Sequence, residues 1–141
     1  MGHSMEITCL SDSSFSLKTK TAQLTINLQR QIEVAGIVIN GPGEYEIKGF
    51  SITGHKGGVY LIEAEEIRLG YLTEKDPVDV LIANSWETVK DVQPSIVIPV
   101  DAAAAAVLVK ASGLEPKTSK KLLLNKLSLP EETELVILEA K

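Results

Sequence analysis

Few side chains in this sequence could do chemistry unaided. Histidine occurs at positions 3 and 55, and cysteine only at position 9. Cys9 lies in an apolar run with no base near it in sequence, so it reads as a buried inert thiol rather than a nucleophile. A serine–histidine–acid triad would have to recruit His55, and no Gly-x-Ser-x-Gly elbow presents a serine to it. Asn40-Gly41-Pro42-Gly43 has the glycine density of a phosphate cradle. However, no Lys-Ser or Lys-Thr follows and no helix opens there, so a tight hairpin turn explains it better. Tyr45, Tyr60 and Tyr71 fall at strand positions and read as packing residues. Trp86, in the polar context NSWETVKD, is the residue with most to offer an interface.

The composition narrows the classes of partner. The 141 residues carry 19 acidic against 14 basic side chains, a net charge of -5, with 44% hydrophobic residues. The isoelectric point is near 5.1 and the mean hydropathy +0.11. An acidic surface repels phosphate backbones and anionic lipid, so neither nucleic acid nor a membrane is an expected partner. The densest basic group, Lys117, Lys120 and Lys121, reads as a solvated loop or helix end. A single cysteine excludes an intrachain disulfide. No apolar stretch approaches the roughly 20 residues of a membrane helix. The opening residues do not form a signal peptide, so a cytoplasmic location is expected. Met1, Gly2, His3 and Ser4 precede a second methionine and read as an expression-tag remnant, leaving residues 5–141 as a single domain.

The elements that must position any site are mostly strands. Met5, Ile7 and Cys9 alternate with polar residues, the period of a half-buried strand. After the turn cluster Ser11-Asp12-Ser13-Ser14, Phe15 and Leu17 predict a second strand, and Leu24, Ile26 and Leu28 a third. Tyr45 and Ile47 share a face, and the apolar phase then shifts to Phe50 and Ile52 with Gly49 at the switch, which predicts a bulge. Residues 54–58 read as a short loop holding His55. Val59 to Ala64 and Ile67 to Leu72 form an apparent hairpin through Glu65-Glu66. Beyond Lys75, Val78 to Ala83 and Ile96 to Val100 are continuous apolar runs, as in strands buried on both faces. Trp86 to Val92 predicts a short helix ended by Gln93-Pro94. Asp101 predicts an N-cap for a helix over Ala102 to Ser112, with Gly113 as its left-handed stop. A last strand covers Leu135 to Leu138. Strands first and strand–helix units later make an α/β layered fold.

Several stretches go further. MEITCLSDSSFSLKTK (Met5 to Lys20), VINGPGEYEIKGFSITG (Val38 to Gly54), VYLIEAEEIRLGYL (Val59 to Leu72), DVLIA, PSIVIPV and LSLPEETELVILE (Leu127 to Glu139) follow one another in order. Together they resemble the metallo-β-lactamase-fold hydrolases, in particular the small ascorbate-phosphate-lactonase-like branch. The resemblance implies a reduced αββα sandwich. In active members of that family two metal ions, held mainly by histidines, activate a water for hydrolysis.

The departures are at the ligands. The loop that supplies His-x-His-x-Asp-His should fall between Leu28 and Ile37, where the chain has only residues 29–36. Gly-His in the opening hairpin is here Ser11-Asp12, His-Leu-Gly-Asp is Tyr71-Leu72-Thr73-Glu74, and a late Met-His is Val100-Asp101. Asp12, His55, Glu74 and Asp101 are therefore the candidate remnant pocket. One imidazole and three scattered carboxylates are a poor zinc set, so no metal, no cofactor and no catalytic residue is expected. The reading is a non-catalytic interaction or scaffold protein, a homodimer because lost covering segments expose apolar surface and edges. The alternatives are a divergent hydrolase and a small-molecule binding module.

Overall fold

A computed structural model of the chain describes residues 4–140. Met1, Gly2 and His3, three of the four residues read as a tag remnant, lie outside the described residues. Ser4 opens the first strand. In chain order the elements are β1 (Ser4–Ser11), β2 (Ser14–Lys18), β3 (Gln23–Ile26), β4 (Ile32–Val34), β5 (Ile37–Ile39), β6 (Gly43–Ile47), β7 (Phe50–His55), β8 (Val59–Ala64), β9 (Ile67–Tyr71) and β10 (Val80–Ala83). Then follow α1 (Trp86–Val92), β11 (Ile96–Pro99), α2 (Ala102–Ser112), β12 (Lys117–Ser119), β13 (Lys121–Asn125), a 3-10 turn (Lys126–Ser128) and β14 (Glu134–Leu138).

The strands form two sheets. The first has the order β13-β1-β2-β3-β4-β5, antiparallel throughout. The second has the order β12-β14-β11-β10-β9-β8-β7-β6. Its β6–β9 end is an antiparallel meander, and β9, β10, β11, β14 and β12 run parallel. Alternation sets the core between the sheets. Met5, Ile7, Leu17, Leu24 and Ile26 from the first meet Ile52, Ile62, Leu69, Ile82 and Ile98 from the second. The continuous apolar runs are buried on both faces, as read from the sequence. Val80 and Ile82 enter this core, whereas Leu81, Ala83 and Val97 pack with Val89 of α1 and Leu108 of α2.

Four sequence readings need correction. The helices lie on the second sheet, through β10 and β11. The outer face of the first sheet instead carries the cross-strand row Lys121, Thr8, Ser16, Thr25 and Glu33, with Glu6 opposite Lys18 beside it. That face is polar and offers no apolar stripe to a helix, so the described residues make three layers, ββα, rather than αββα. Gly49 is no bulge: Ile47 faces Phe50, with Lys48 and Gly49 at φ 52° and 87° between them. Two consecutive positive φ values mark a two-residue hairpin turn of the primed type, whose twist matches the strands. Asn40-Gly41-Pro42-Gly43 is no hairpin either, because β5 ends one sheet and β6 begins the other. The turn is the corner between them. Finally, Lys117 and Lys121 lie on strands, with Lys120 in the turn that joins them, and Lys117 pairs with Glu134 at 3.0 Å.

The candidate remnant site

Three of the four segments in which the resemblance expects ligands, those around Ser11-Asp12, Tyr71 and Val100-Asp101, meet in space. What joins them is a hydrogen-bonded tie between the sheets. The β1–β2 turn reaches the second sheet twice at Ser13, whose N–H donates to Val100 O at 2.9 Å and whose carbonyl accepts from the Tyr71 hydroxyl at 2.9 Å. Ser13 adopts φ 66° to do so. Tyr71 is fully buried, with the Phe15 ring edge-on at 6.3 Å. Burial pushes its hydroxyl above the ordinary tyrosine value; the Arg30 guanidinium opposes this and the Asp101 carboxylate adds to it. The phenol is therefore held neutral, as a donor that ties the two sheets.

The four candidate residues are not brought to one place. Asp101 caps α2, its Oδ1 accepting from Ala104 N at 2.8 Å, and Gly113 closes the helix at φ 71° as the sequence predicts. Asp101 and Asp12 line a cleft of about 130 Å³ with Cys9, Val100 and Leu138. Cys9 donates to Ser11 O at 3.1 Å, and burial, reinforced by Asp12, pushes its thiol up. Glu74 lines a different, larger cleft of about 280 Å³. His55 is the exposed last residue of β7, on a strand rather than in a loop, and lines neither cleft. Among the described residues no three histidine, cysteine, aspartate or glutamate side chains are grouped to hold a metal ion. With the Asp101 carboxylate committed to α2 and His55 apart from the acids, the residues present do not fit a zinc pair.

The larger cleft contains residues that sequence reasoning missed: Arg30, Thr73, Asn84, Ser85 and Thr88. Arg30 falls in the segment read only as a lost loop. Asn27 builds a turn there, its Oδ1 accepting from Gln29 N at 3.0 Å and Gln31 N at 2.9 Å, and Arg30 sits at φ 60°. The Tyr60 hydroxyl donates to Arg30 O at 2.5 Å, and the guanidinium donates to Gly57 O at 3.1 Å. The Arg30 side chain lies flat on Gly58, where a Cβ would meet its Cβ at 2.6 Å and its Cδ at 2.7 Å. Asn-x-x-Arg before a short strand was the available signal, and it carries no family meaning. Trp86, singled out for an interface, is half-buried against the helix-side core.

No family model matches the chain, and no curated protein matches it. Among solved structures, the arrangement of sheets and helices is similar to a metallo-β-lactamase superfamily fold. One such neighbour is a Thermotoga maritima protein, described as a zinc-dependent hydrolase of that superfamily and solved at 2.00 Å resolution. It superposes with a TM-score of 0.71 and 16% identity, over 96% of this chain and 99% of its own. At that identity the likeness is one of fold.

Proposed function

We propose that this chain is a non-catalytic protein on the metallo-β-lactamase fold, a degenerate relative of the ascorbate-phosphate-lactonase-like branch, acting through association with a second copy of itself. The observation behind the first half is the Ser13–Tyr71–Val100 tie, which uses for structure the segments that an active relative uses for ligands. The Thermotoga neighbour's zinc-dependent hydrolysis does not carry over residue by residue. A zinc pair needs several clustered ligands, imidazoles above all, and this chain has His55 alone outside residues 1–3.

The second half rests on β13. It is an edge strand bonded to β1, with Leu123 67% exposed and Leu127, just beyond it, 98% exposed. An antiparallel pairing of two β13 strands about Leu123 would set Lys121 opposite Asn125 and Leu122 opposite Leu124 within the strand. Such an isologous pairing satisfies both edges and covers the leucines. Light scattering behind size exclusion at about 100 µM should give twice the 15.2 kDa chain mass. Leu123→Lys should give a folded monomer. A monomeric parent, or a variant that dimerises equally well, would refute the association.

A further inference from the structure

The Arg30 cleft is not explained by self-association, and it shares no residue with β13. It opens beyond the C-terminal ends of the parallel strands β9 and β10, beside the start of α1, the place where layered α/β folds hold ligands. Its lining is polar and of both signs. Arg30 provides the cation and Glu74 the anion; Asn84, Ser85 and Thr88 provide amide and hydroxyl groups. The two charges do not neutralise each other, since no ion pair within 4.0 Å joins Arg30 to Glu74 among the described residues. Thr73 is only 2% exposed, and its Oγ1 lies against the Cα of Gly70, in the space a side chain there would fill.

Arg30 is also held in advance. Its backbone is kept at positive φ by Asn27 and Tyr60, its aliphatic stem is laid on Gly58, and Gly57 O takes one of its five N–H donors. A non-glycine residue in that backbone region, fixed from several sides, is the kind of strain found at ligand clamps.

We propose that this cleft binds a small zwitterion of the amino-acid class, its carboxylate on the Arg30 guanidinium and its ammonium on Glu74, with Asn84, Ser85 and Thr88 contacting the remainder. A guanidinium fork matches a carboxylate in plane and number of bonds. The opposite charge across the cleft selects against a bare phosphate or dicarboxylate, which Glu74 would repel. The volume of about 280 Å³ admits a molecule of that size and little more.

The test is an amide NMR titration of the isotope-labelled full chain with each standard L-amino acid, and with L-lactate and inorganic phosphate for comparison. At least one amino acid should give saturable shifts at Thr73, Asn84, Ser85 and Thr88, with a Kd at or below about 1 mM. Arg30→Ala should weaken that binding about tenfold or more. Glu74→Gln alters an exposed side chain and so keeps the fold; it should weaken the amino acid without weakening lactate, whose repulsion by Glu74 it removes. The proposal is overturned if no amino acid saturates by about 20 mM. Phosphate binding more tightly than every amino acid, or an amino-acid affinity untouched by Glu74→Gln, would overturn it equally. None of these readouts depends on the oligomeric state, so failure here and failure of the dimer are separate results.

Discussion

Tyr71→Phe is the most informative single change, because it removes one oxygen from the tie and leaves the packing in place. The phenol is fully buried, its hydroxyl donating to Ser13 O on the opposite sheet at 2.9 Å with the Arg30 guanidinium beside it. The ring keeps its edge contact with Phe15 in the variant. The loss is therefore a hydrogen bond plus a carbonyl left short of a partner, together about 1–2 kcal/mol. For a domain of this size that corresponds to a fall in Tm of roughly 3–6 °C. Tyr45→Phe is the internal control: its hydroxyl lies 3.4 Å from Pro42 O on an exposed corner, so its removal should change stability by less than about 0.5 kcal/mol. Urea unfolding followed by circular dichroism measures both, read as a shift in midpoint at constant slope. If Tyr71→Phe matched the parent, or was more stable, the hydroxyl would not be a structural tie.

Four further outcomes follow from named contacts. Gly58→Ala should destabilise by about 1–3 kcal/mol, since φ is +72° and the new Cβ would collide with the Arg30 stem; thermal unfolding reads it. Asp101→Ala should cost about 1 kcal/mol by removing the α2 cap, and Asp101→Asn should recover most of it. Tyr71 and Tyr60 both have their hydroxyls raised above 10.0 by burial first of all. A folded value above the unfolded one gives stability that is complete below about pH 10 and lost as pH rises through the folded values. Alkaline urea titrations should show that decline, and Tyr60→Phe with Tyr71→Phe should flatten it. Cys9 should stay unreactive towards a thiol-specific disulfide reagent near pH 8 and react fully in denaturant, because burial holds the thiol protonated; rapid labelling of the native protein would contradict that.

The elements were more legible than the way they are joined. Period-two alternation located β1, β2 and β3, the both-face burial of β10 and β11 was visible as unbroken apolar runs, and α2 was bounded by its caps and α1 by Gln93-Pro94. What failed was geometry that depends on neighbours. Gly49 changes the apolar phase whether the chain bulges or reverses, and only pairing of Ile47 with Phe50 decides it. The Asn40–Gly43 turn has hairpin chemistry but joins different sheets, which local sequence does not encode. Leu28 continues the alternation of β3 yet is 62% exposed, because the Asn27 turn ends the strand first. The candidate residues Asp12, Glu74 and Asp101 were found by resemblance, and their separation into two clefts required three-dimensional placement. Arg30 carried only the Asn-x-x-Arg turn signal and Thr73 none, since an arginine in a turn and a threonine after a strand are ordinary. The outer face of the first sheet could have been read: Thr8, Ser16 and Thr25 already announce a face with no helix over it.

Under the proposed function, the Ser13–Tyr71–Val100 tie takes the place of a metal site. Calorimetric titration of zinc into protein lacking residues 1–3, and so lacking His3, tests it most directly. The account predicts no binding tighter than about 10 µM and no gain in Tm with zinc present. Two zinc ions bound per chain at submicromolar affinity, with stabilisation to match, would contradict it.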